Sequence, residues 1–277
     1  MLEVINYMHA QEMGMKCIKS QKIDVELIKN LHKRLMHGVR GEKAQPGSIR
    51  SVQNYISKYQ TGVGMGYATY VPPPHEMVPD LLNNMTNYME NGTGPELVKI
   101  GLMHYQFEAI HPFLDGNGRI GRLLIALYML QKGILDRPLL YMSEYFERNR
   151  AEYYSQLLEV SKNSTYTSWL KFFLVGVAQQ AGAVSERMGM LAGYYNEKES
   201  RIAASYPKLT LILFRQLFSN PVVTIPYVAK ITDKSYPAAK NAVMRLVDEG
   251  ILSEMPVRPA RFVARTIIDI YKGKGVA

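Results

Sequence analysis

The stretch RIGRLLIALYMLQKG, residues 119–133, constrains the fold more than any other part of the chain. After Arg122 apolar residues occupy nearly every position of a helical pattern, and Gly133 is a typical residue for the end of a helix. A helix that is apolar on all sides has to be buried on all sides. The chain must therefore build a shell of other elements around this segment.

Segments with apolar residues three or four positions apart supply that shell. Asp24 is suited to cap the first of them, which Gly38 would close. Further helices are predicted for 75–91, 95–110, 143–161 and 165–198. The first part of the chain is thus predicted to be mainly α-helical.

Residues 60–74, QTGVGMGYATYVPPP, have a different pattern. Glycines are followed by Tyr67, Thr69 and Val71 on alternate positions and then by three prolines. Alternation bounded by glycine and proline is typical of a short β-hairpin. We expect one small hairpin within the helical shell.

The pattern changes again after EKESRIAASYPK, residues 197–208, a polar segment that we interpret as a linker. Three helical segments follow and then two alternating stretches, ILSEM and RFVART, separated by PVRPA. Three helices and a small hairpin predict a winged helix-turn-helix domain over 205–272.

Charge is unevenly distributed along the 277 residues, whose formal net charge is +9. From Arg201 onward there are 12 Lys and Arg but only 5 Asp and Glu, a balance of +7. Such asymmetry is typical of a module that meets an anionic partner, although a basic soluble face has the same composition. Candidate DNA contacts are Lys240 and Arg245 on the recognition helix and Arg258 and Arg261 in the wing. Winged helices also dock proteins, and that alternative remains open.

The single cysteine, Cys17, cannot form an internal disulfide, which favours a reducing cytoplasm. We find no secretory signal at the start and no apolar run of about 18 residues, so no membrane partner is expected.

The twelve residues HPFLDGNGRIGR, 111–122, carry the chemistry. Gly116–Gly118 precede a helix, whose free N–H groups and dipole form an anion site. Arg119 and Arg122 share a helix face and offer forked donors for phosphate oxygens. Asp115 is a natural ligand for Mg²⁺ beside phosphates, and His111 is a candidate general base. This combination indicates phosphoryl or nucleotidyl transfer.

The same twelve residues meet every specified position of the Fic signature, HxFx(D/E)GNGRxxR. Residues 38–56 are similar to the segment before the core of the larger bacterial Fic proteins, YVPPP resembles the end of the family's flap, and 143–157 resemble the stretch that holds the nucleotide base. The chain is therefore identified as a Fic protein. We expect a Fic domain with an N-terminal helical extension over 1–200, its core at about 60–165, and the winged helix after it.

The resemblance implies that AMP is transferred from ATP to a Tyr, Ser or Thr hydroxyl of a target protein. His111 would act as general base, Phe113 would anchor the loop, and Asp115 would hold Mg²⁺. Arg119 and Arg122 would hold the β- and γ-phosphates.

Further roles follow from the same resemblance. The backbone of Gly116, Asn117 and Gly118 would form the anion hole, and Asn117 would contact the α-phosphate. The flap would pair with the target backbone through Gly66, Tyr67, Ala68, Thr69, Tyr70 and Val71. The adenine contacts would come from Tyr145, Asn149, Tyr153 and Tyr154, for which helix packing is an equal alternative.

Many Fic proteins carry an inhibitory helix, (S/T)xxxE(G/N), whose glutamate pairs with the second arginine of the motif, here Arg122. We expect that helix upstream of MLEVINYMHA in a longer product, on another chain, or absent. Thr86–Asn91, TNYMEN, matches the pattern but lies between flap and motif, so we interpret it as coincidental.

Rival functions remain open from the sequence. The core could transfer a phosphate or another nucleotide, or remove AMP. The chain could be a transcription regulator with a Fic sensor, or a toxin. The sequence does not identify the target protein or the modified residue, and it does not decide whether the chain forms a homodimer.

Overall fold

The computed structural model describes residues 2–39, 45–57 and 68–273. Helices dominate these residues, and the only sheet among them is small, which confirms the expected mainly α-helical fold. The chain divides into two compact units, Met1–Gln180 and Ala181–Ala277. Within the described ranges, no helix has the length and apolar character that crossing a membrane requires.

Helices account for nearly all of the first unit. They are α1 (Leu2–Cys17), α2 (Val25–Leu35), α3 (Val78–Asn91, after a 3₁₀ turn at His75–Met77), α4 (Glu96–Ile110), α5 (Asn117–Gln131), α6 (Met142–Arg148), α7 (Arg150–Asn163) and the first part of α8 (Tyr166–Ser205). The single helix predicted for 143–161 is wrong. Asn149 has φ −112° and ψ 36°, outside the helical region, and this separates α6 from α7.

Helix α5 is the centre of the first unit, as predicted from its all-round apolar sequence. It packs against α1, α2 and α4. Its buried side chains include Leu123, Leu124, Leu127 and Tyr128, none more than 1% exposed. The Tyr128 hydroxyl donates to the Met89 carbonyl at 2.6 Å, so the one polar group on this stretch is also satisfied.

The neighbouring helices are fixed by local features that the sequence indicates. Asp24 caps α2 by accepting a hydrogen bond from the Leu27 N–H at 2.7 Å. Trp169 of α8 is fully buried, and its indole nitrogen donates to the Gly101 carbonyl of α4 at 2.9 Å. These two bonds help fix the helices that surround α5.

The second unit combines the rest of α8 with four helices and three strands. They are α9 (Lys208–Leu217), β1 (Val222–Val223), α10 (Ile225–Thr232), α11 (Tyr236–Asp248), β2 (Ser253–Met255), β3 (Arg261–Val263) and α12 (Arg265–Tyr271). The antiparallel sheet has the order β1–β3–β2, with Phe262 opposite both Val223 and Glu254. The sequence patterns predicted β2 and β3 but not β1 or α12.

The expected linker at 197–208 is wrong, because α8 continues through it to Ser205. Leu191 and Ile202 are buried in the core of the second unit, with exposed fractions of 6% and 0%. The division therefore falls between Gln180 and Ala181, about twenty residues before the expected boundary at 200. A mostly polar helix anchored by so few apolar residues reads as a linker in sequence.

Replacement by alanine should have opposite effects on stability at two glycines of α8. A Cβ at Gly176 would lie within 3.0 Å of the buried Tyr145 ring, whereas a Cβ at Gly189 would meet nothing within 4 Å. We expect Gly176→Ala to lower the free energy of unfolding by about 1–3 kcal/mol through overpacking. Gly189→Ala should raise it by up to about 1 kcal/mol through helix propensity. Urea unfolding followed by circular dichroism measures both, and equal stabilisation by the two would contradict the packing described.

Candidate active site

The loop between α4 and α5 holds the residues of the motif in an unusual backbone conformation. His111 ends α4 with φ 49°, in the left-handed region. Gly116 precedes α5 with φ 82°. A Cβ at Gly116 would lie 2.9 Å from the Met36 sulfur and 3.3 Å from His32 Nε2. Both the φ angle and the close approach require glycine there.

Asn117 stabilises the loop from inside. Its side chain is buried, with Oδ1 accepting from the Phe113 N–H at 2.9 Å and Nδ2 donating to the Phe113 carbonyl at 2.8 Å. The side chain is thus engaged within the loop, and the expected contact of Asn117 with an α-phosphate stays a prediction. The first N–H groups of α5 have no partner inside the helix and remain available to a ligand.

Phe113 anchors the loop as expected, and its ring packs on His32. Phe113 is fully buried and its ring stacks on His32 at 3.7 Å with the planes 6° apart. His32 Nδ1 accepts from the Gly47 N–H at 2.9 Å, and Nε2 donates to the Asp115 carbonyl at 3.0 Å. Burial lowers the pKa of His32 to about 4, so it stays neutral.

His111 has the protonation state that a general base needs. Its Nδ1 lies 3.3 Å from the Glu108 carbonyl, which can only accept, so Nδ1 carries the proton and Nε2 has the lone pair. Burial lowers the pKa of His111 to about 4. The ring is therefore unprotonated at neutral pH and can accept a proton from a hydroxyl.

Asp115 lies at the exposed mouth of the loop. Its Oδ1 accepts from the Gly116 N–H at 2.6 Å, and Oδ2 lies 3.8 Å from Arg119 Nη2. The carboxylate thus reaches both the anion site and solvent, as a metal ligand requires. No group of three or more His, Cys, Asp or Glu side chains converges anywhere in the described part of the chain.

The two arginines lie on the first turns of α5 with little compensating charge. Among the described residues, the carboxylates nearest to Arg119 are Asp115 at 3.8 Å and Glu3 at 4.0 Å, and its Nη1 makes no hydrogen bond with them. Arg122 has no carboxylate oxygen within 4.0 Å among the described residues. A Cβ at Gly118 would lie 3.0 Å from Arg122 Nη1, so this guanidinium lies over the start of the helix. A helix N-terminus with two such cations is a strong anion site.

Glu108, which the sequence analysis passed over, is buried beside the second arginine. Its Oε1 makes no hydrogen bond, and a Cβ on Gly121 would come within 3.0 Å of that oxygen. Burial raises the pKa of Glu108 to about 7, and Arg122 opposes that shift. In the sequence, Glu108 could have been noticed from its position three residues before His111, one turn back on the same face of α4.

Most of the four residues expected to contact adenine pack against, or bond to, other residues of the protein. Tyr145 and Tyr153 are buried in the aromatic core, where the Tyr153 hydroxyl lies 3.0 Å from His104 Nε2. Asn149 donates from its side chain to the Tyr145 carbonyl at 2.9 Å. Tyr154 is exposed, with Arg150 5.9 Å from its ring centroid. Helix packing thus accounts for Tyr145 and Tyr153, and the described contacts assign no adenine site.

The flap is described from Ala68 onward, and Gly66 and Tyr67 lie outside the described residues. Tyr70 forms an isolated antiparallel bridge with Ile56, which lies before the hairpin predicted within 60–74. Residues 58–67 lie outside the described residues, so that hairpin stays a prediction. The Tyr70 hydroxyl also donates to the Ala109 carbonyl at 3.0 Å. The base of the flap therefore lies against the end of α4, next to His111.

The Fic/DOC family profile matches residues 22–129, which include the loop and both arginines. This stretch is a Fic/DOC family domain. A probable protein adenylyltransferase of Aquifex aeolicus is 36% identical over 98 residues, covering 35% of this chain and 28% of that protein. Protein adenylyltransferase fic-1 of Caenorhabditis briggsae is 29% identical over 136 residues, covering 49% and 24%. The chain thus spans about a quarter of the length of these curated relatives.

A solved structure extends the likeness beyond the Fic domain. The crystal structure of a Fic family protein from Desulfovibrio desulfuricans G20 covers 95% of this chain and 74% of that chain, with a TM-score of 0.58. Identity is 21%, so the likeness concerns the fold alone.

Glu108 predicts how stability depends on pH. Because the folded state raises its pKa to about 7, the folded state holds this proton more tightly, and stability falls as pH rises from about 4.5 through 7. Glu108→Gln removes that loss, so its stability relative to the wild type should increase from pH 5 to pH 8. Other titrating groups are common to both proteins and cancel in the difference.

Urea unfolding at pH 5, 6, 7 and 8 measures this difference. Glu147→Gln, at an exposed position on α6, controls for the loss of a carboxylate. A Glu108→Gln difference that stays constant over this range would show that Glu108 is already ionised in the folded state.

Proposed function

We propose that this chain is a protein adenylyltransferase that transfers AMP from ATP to a hydroxyl side chain of a target protein. The observation that carries the proposal is the neutral His111 beside the start of α5. One loop places the free Nε2 of His111 next to unpaired helix N–H groups, a carboxylate and two arginines. A base beside an anion site is what nucleotidyl transfer needs.

The reaction is an in-line displacement at the α-phosphorus. The target hydroxyl oxygen forms a bond to the α-phosphorus while the bond to the oxygen bridging the α- and β-phosphates breaks. The hydroxyl proton passes to Nε2 of His111, and pyrophosphate leaves with the electron pair of the broken bond. Arg119 and Arg122 hold the β- and γ-phosphates, so their charge is closest where negative charge develops.

The donor set around Asp115 fits Mg²⁺. Oδ1 is already engaged by the Gly116 N–H, and Oδ2 lies 3.8 Å from Nη2 of Arg119, one of the arginines that would hold the phosphates. Mg²⁺ is usually held by one or two carboxylates together with substrate phosphates and water, rather than by a protein cage. When bound, the ion would supply positive charge against the phosphate oxygens.

The names of the relatives support the proposal. The proteins from Aquifex aeolicus and Caenorhabditis briggsae are named protein adenylyltransferases. We therefore propose ATP as the nucleotide and a protein as the acceptor, and a reducing cytoplasm as the compartment because Cys17 is the only cysteine. The base of the flap next to His111 supports a target strand pairing with Ala68–Val71.

The catalytic prediction concerns His111→Ala. The side chain contacts the incoming hydroxyl rather than the phosphates, so ATP affinity should stay nearly unchanged while transfer falls about 10²–10⁴-fold. Labelled ATP measures transfer to the chain itself and to proteins of a lysate, and calorimetry measures ATP binding.

His37→Ala is the matched control, because His37 is an exposed histidine outside the loop. Transfer by His111→Ala at the wild-type rate would exclude His111 as the base. Label that comes only from the γ-phosphate, or release of AMP from modified protein without transfer, would favour the rival reactions of the same core.

We also propose that the second unit is a winged helix-turn-helix that binds DNA. Helices α10 and α11 are separated by the three residues 233–235, and the hairpin β2–β3 follows. Lys240 of α11 and Arg258 and Arg261 of the hairpin are exposed, as phosphate contacts require. Arg245 is half-buried near the end of α11, which makes it the weakest of the four candidates.

DNA binding by this unit predicts a steep dependence on salt. Affinity for random duplex should fall with a log–log slope near −0.9 per neutralised phosphate. Lys240→Ala and Arg261→Ala should each flatten that slope by about one unit. Fluorescence anisotropy of a labelled duplex measures it. Arg215→Ala is the control, because Arg215 is already bonded to Glu199 at 2.8 Å. No binding at tens of micromolar protein in low salt would instead favour a protein-docking role.

A further inference from the structure

Arg50 is a buried cation that bonds to the backbone on both sides of the candidate site. Only 2% of the residue is exposed. Its Nε donates to the His111 carbonyl at 2.9 Å, and Nη2 donates to the Ile110 carbonyl at 3.3 Å. Nη2 also donates to the Pro73 carbonyl at 2.5 Å, and Nη1 donates to the Val52 carbonyl at 3.2 Å. One guanidinium thus joins four carbonyls from three separate stretches of the chain, at residues 52, 73 and 110–111.

The first pair of carbonyls belongs to the C-terminal end of α4. The last carbonyls of a helix have no partner inside it and carry the negative end of the helix dipole. A buried cation there satisfies these carbonyls and is stabilised by them. Since no carboxylate oxygen lies within 4.0 Å of Arg50 among the described residues, the carbonyls are its main compensation. The contact also holds His111 in its left-handed conformation.

The second pair of carbonyls belongs to the two arms of the flap. Val52 precedes the flap and Pro73 follows it. Two more bonds lie alongside, from Gln53 Nε2 to the Pro72 carbonyl at 2.9 Å and from Asn54 Nδ2 to the Phe113 carbonyl at 3.3 Å. The two ends of the flap are therefore attached to the loop that carries His111. Arg50 bonds both to the ends of the flap and to that loop.

We propose that Arg50 is a positioning residue that sets the distance between the flap and the His111 imidazole. The inference rests on the proposed function, in which the flap presents a hydroxyl to His111. Arg50 touches neither ATP nor the acceptor in this arrangement. It acts by holding the backbone of both partners, so its loss should affect the transfer step and leave nucleotide binding intact. A misplacement of about 1 Å in such a pair can cost on the order of 100-fold in rate.

The test compares Arg50→Met with Arg50→Lys and with a matched control, Lys99→Met. Lys99, on α4, is a buried cation, 4% exposed, that donates to the Gly92 carbonyl at 3.2 Å and pairs with Glu96 at 2.7 Å. Lys99→Met removes a buried cation on α4, and Arg50→Met removes one that bonds to the end of α4, so both variants should have a lower melting temperature. Only Arg50→Met should loosen the flap base.

Three measurements separate positioning from stability. Calorimetry gives the Kd for ATP with Mg²⁺, and pyrophosphate release at saturating ATP gives the rate of AMP transfer to the chain itself and to water. Hydrogen exchange follows the amides of Ile56, Thr69 and Tyr70, whose bonds pair the two arms at 3.0, 2.8 and 3.2 Å. All are made at a temperature where each variant is folded by circular dichroism.

We expect Arg50→Met to keep the ATP Kd within about threefold and to lose about 30–100-fold in rate. Exchange of the three amides should rise in this variant and stay unchanged in Lys99→Met. Arg50→Lys should recover part of the rate, because an ammonium keeps the charge but lacks the fork that bridges both sides. If Arg50→Met does not fold, the test rests on Arg50→Lys alone. That variant should then transfer AMP more slowly than the wild type and exchange the three amides faster, with an unchanged Kd for ATP.

Equal rates for Arg50→Met and Lys99→Met, or unchanged exchange in both Arg50 variants, would overturn the proposal. If the wild-type protein transfers no AMP, the proposed function fails, but hydrogen exchange still tests whether Arg50 attaches the flap to the loop. Faster exchange in the Arg50 variants alone would then still show that Arg50 attaches the flap to the loop, and unchanged exchange would refute that as well.

Discussion

The left-handed conformation of His111 is the constraint on which the candidate site depends. A non-glycine residue there is strained by about 1 kcal/mol or more, and the surrounding bonds have to hold it. Arg50 binds the carbonyls of Ile110 and His111, His32 binds the carbonyl of Asp115, and Asn117 binds both polar backbone groups of Phe113. Each net bond contributes about 0.5–1.5 kcal/mol, so together they exceed the strain. The geometry of His111 is thus a property of the packed domain.

Charge in the site is arranged by the same packing. Arg50 is compensated by carbonyls and is closed off from ligands, whereas Arg119 and Arg122 keep their charge for a ligand. Glu108 could neutralise Arg122, but burial raises its pKa to about 7, which weakens that competition near neutral pH. Burial also lowers the pKa of His111 to about 4, so the base adds no positive charge. The result is an anion site whose cations are not cancelled by their neighbours.

Local features of this protein could be predicted from its sequence, and contacts between distant residues could not. The buried helix α5, the Asp24 cap and the candidate phosphate loop depend on residues within one or two turns. His32 and Arg50 act on residues 83 and 61 positions away, and no local pattern reveals such a bond. The adenine candidates stay a prediction for a related reason, since Tyr145 and Tyr153 are aromatic residues on helices that serve equally well in a core.

The segment TNYMEN shows how a matching string differs from a contact. Glu90 forms an ion pair with Lys22 at 2.8 Å, and the other charges that act on it are Lys132 and Lys99. Lys132 follows the last turn of α5, ten residues after Arg122, and a helix rises about 1.5 Å per residue, so the two lie about 15 Å apart along it. Glu90 is therefore at the wrong end of α5 to cover Arg122. A carboxylate that blocks the γ-phosphate site has to approach the first turn of α5, where the described residues place no carboxylate oxygen within 4.0 Å of Arg122.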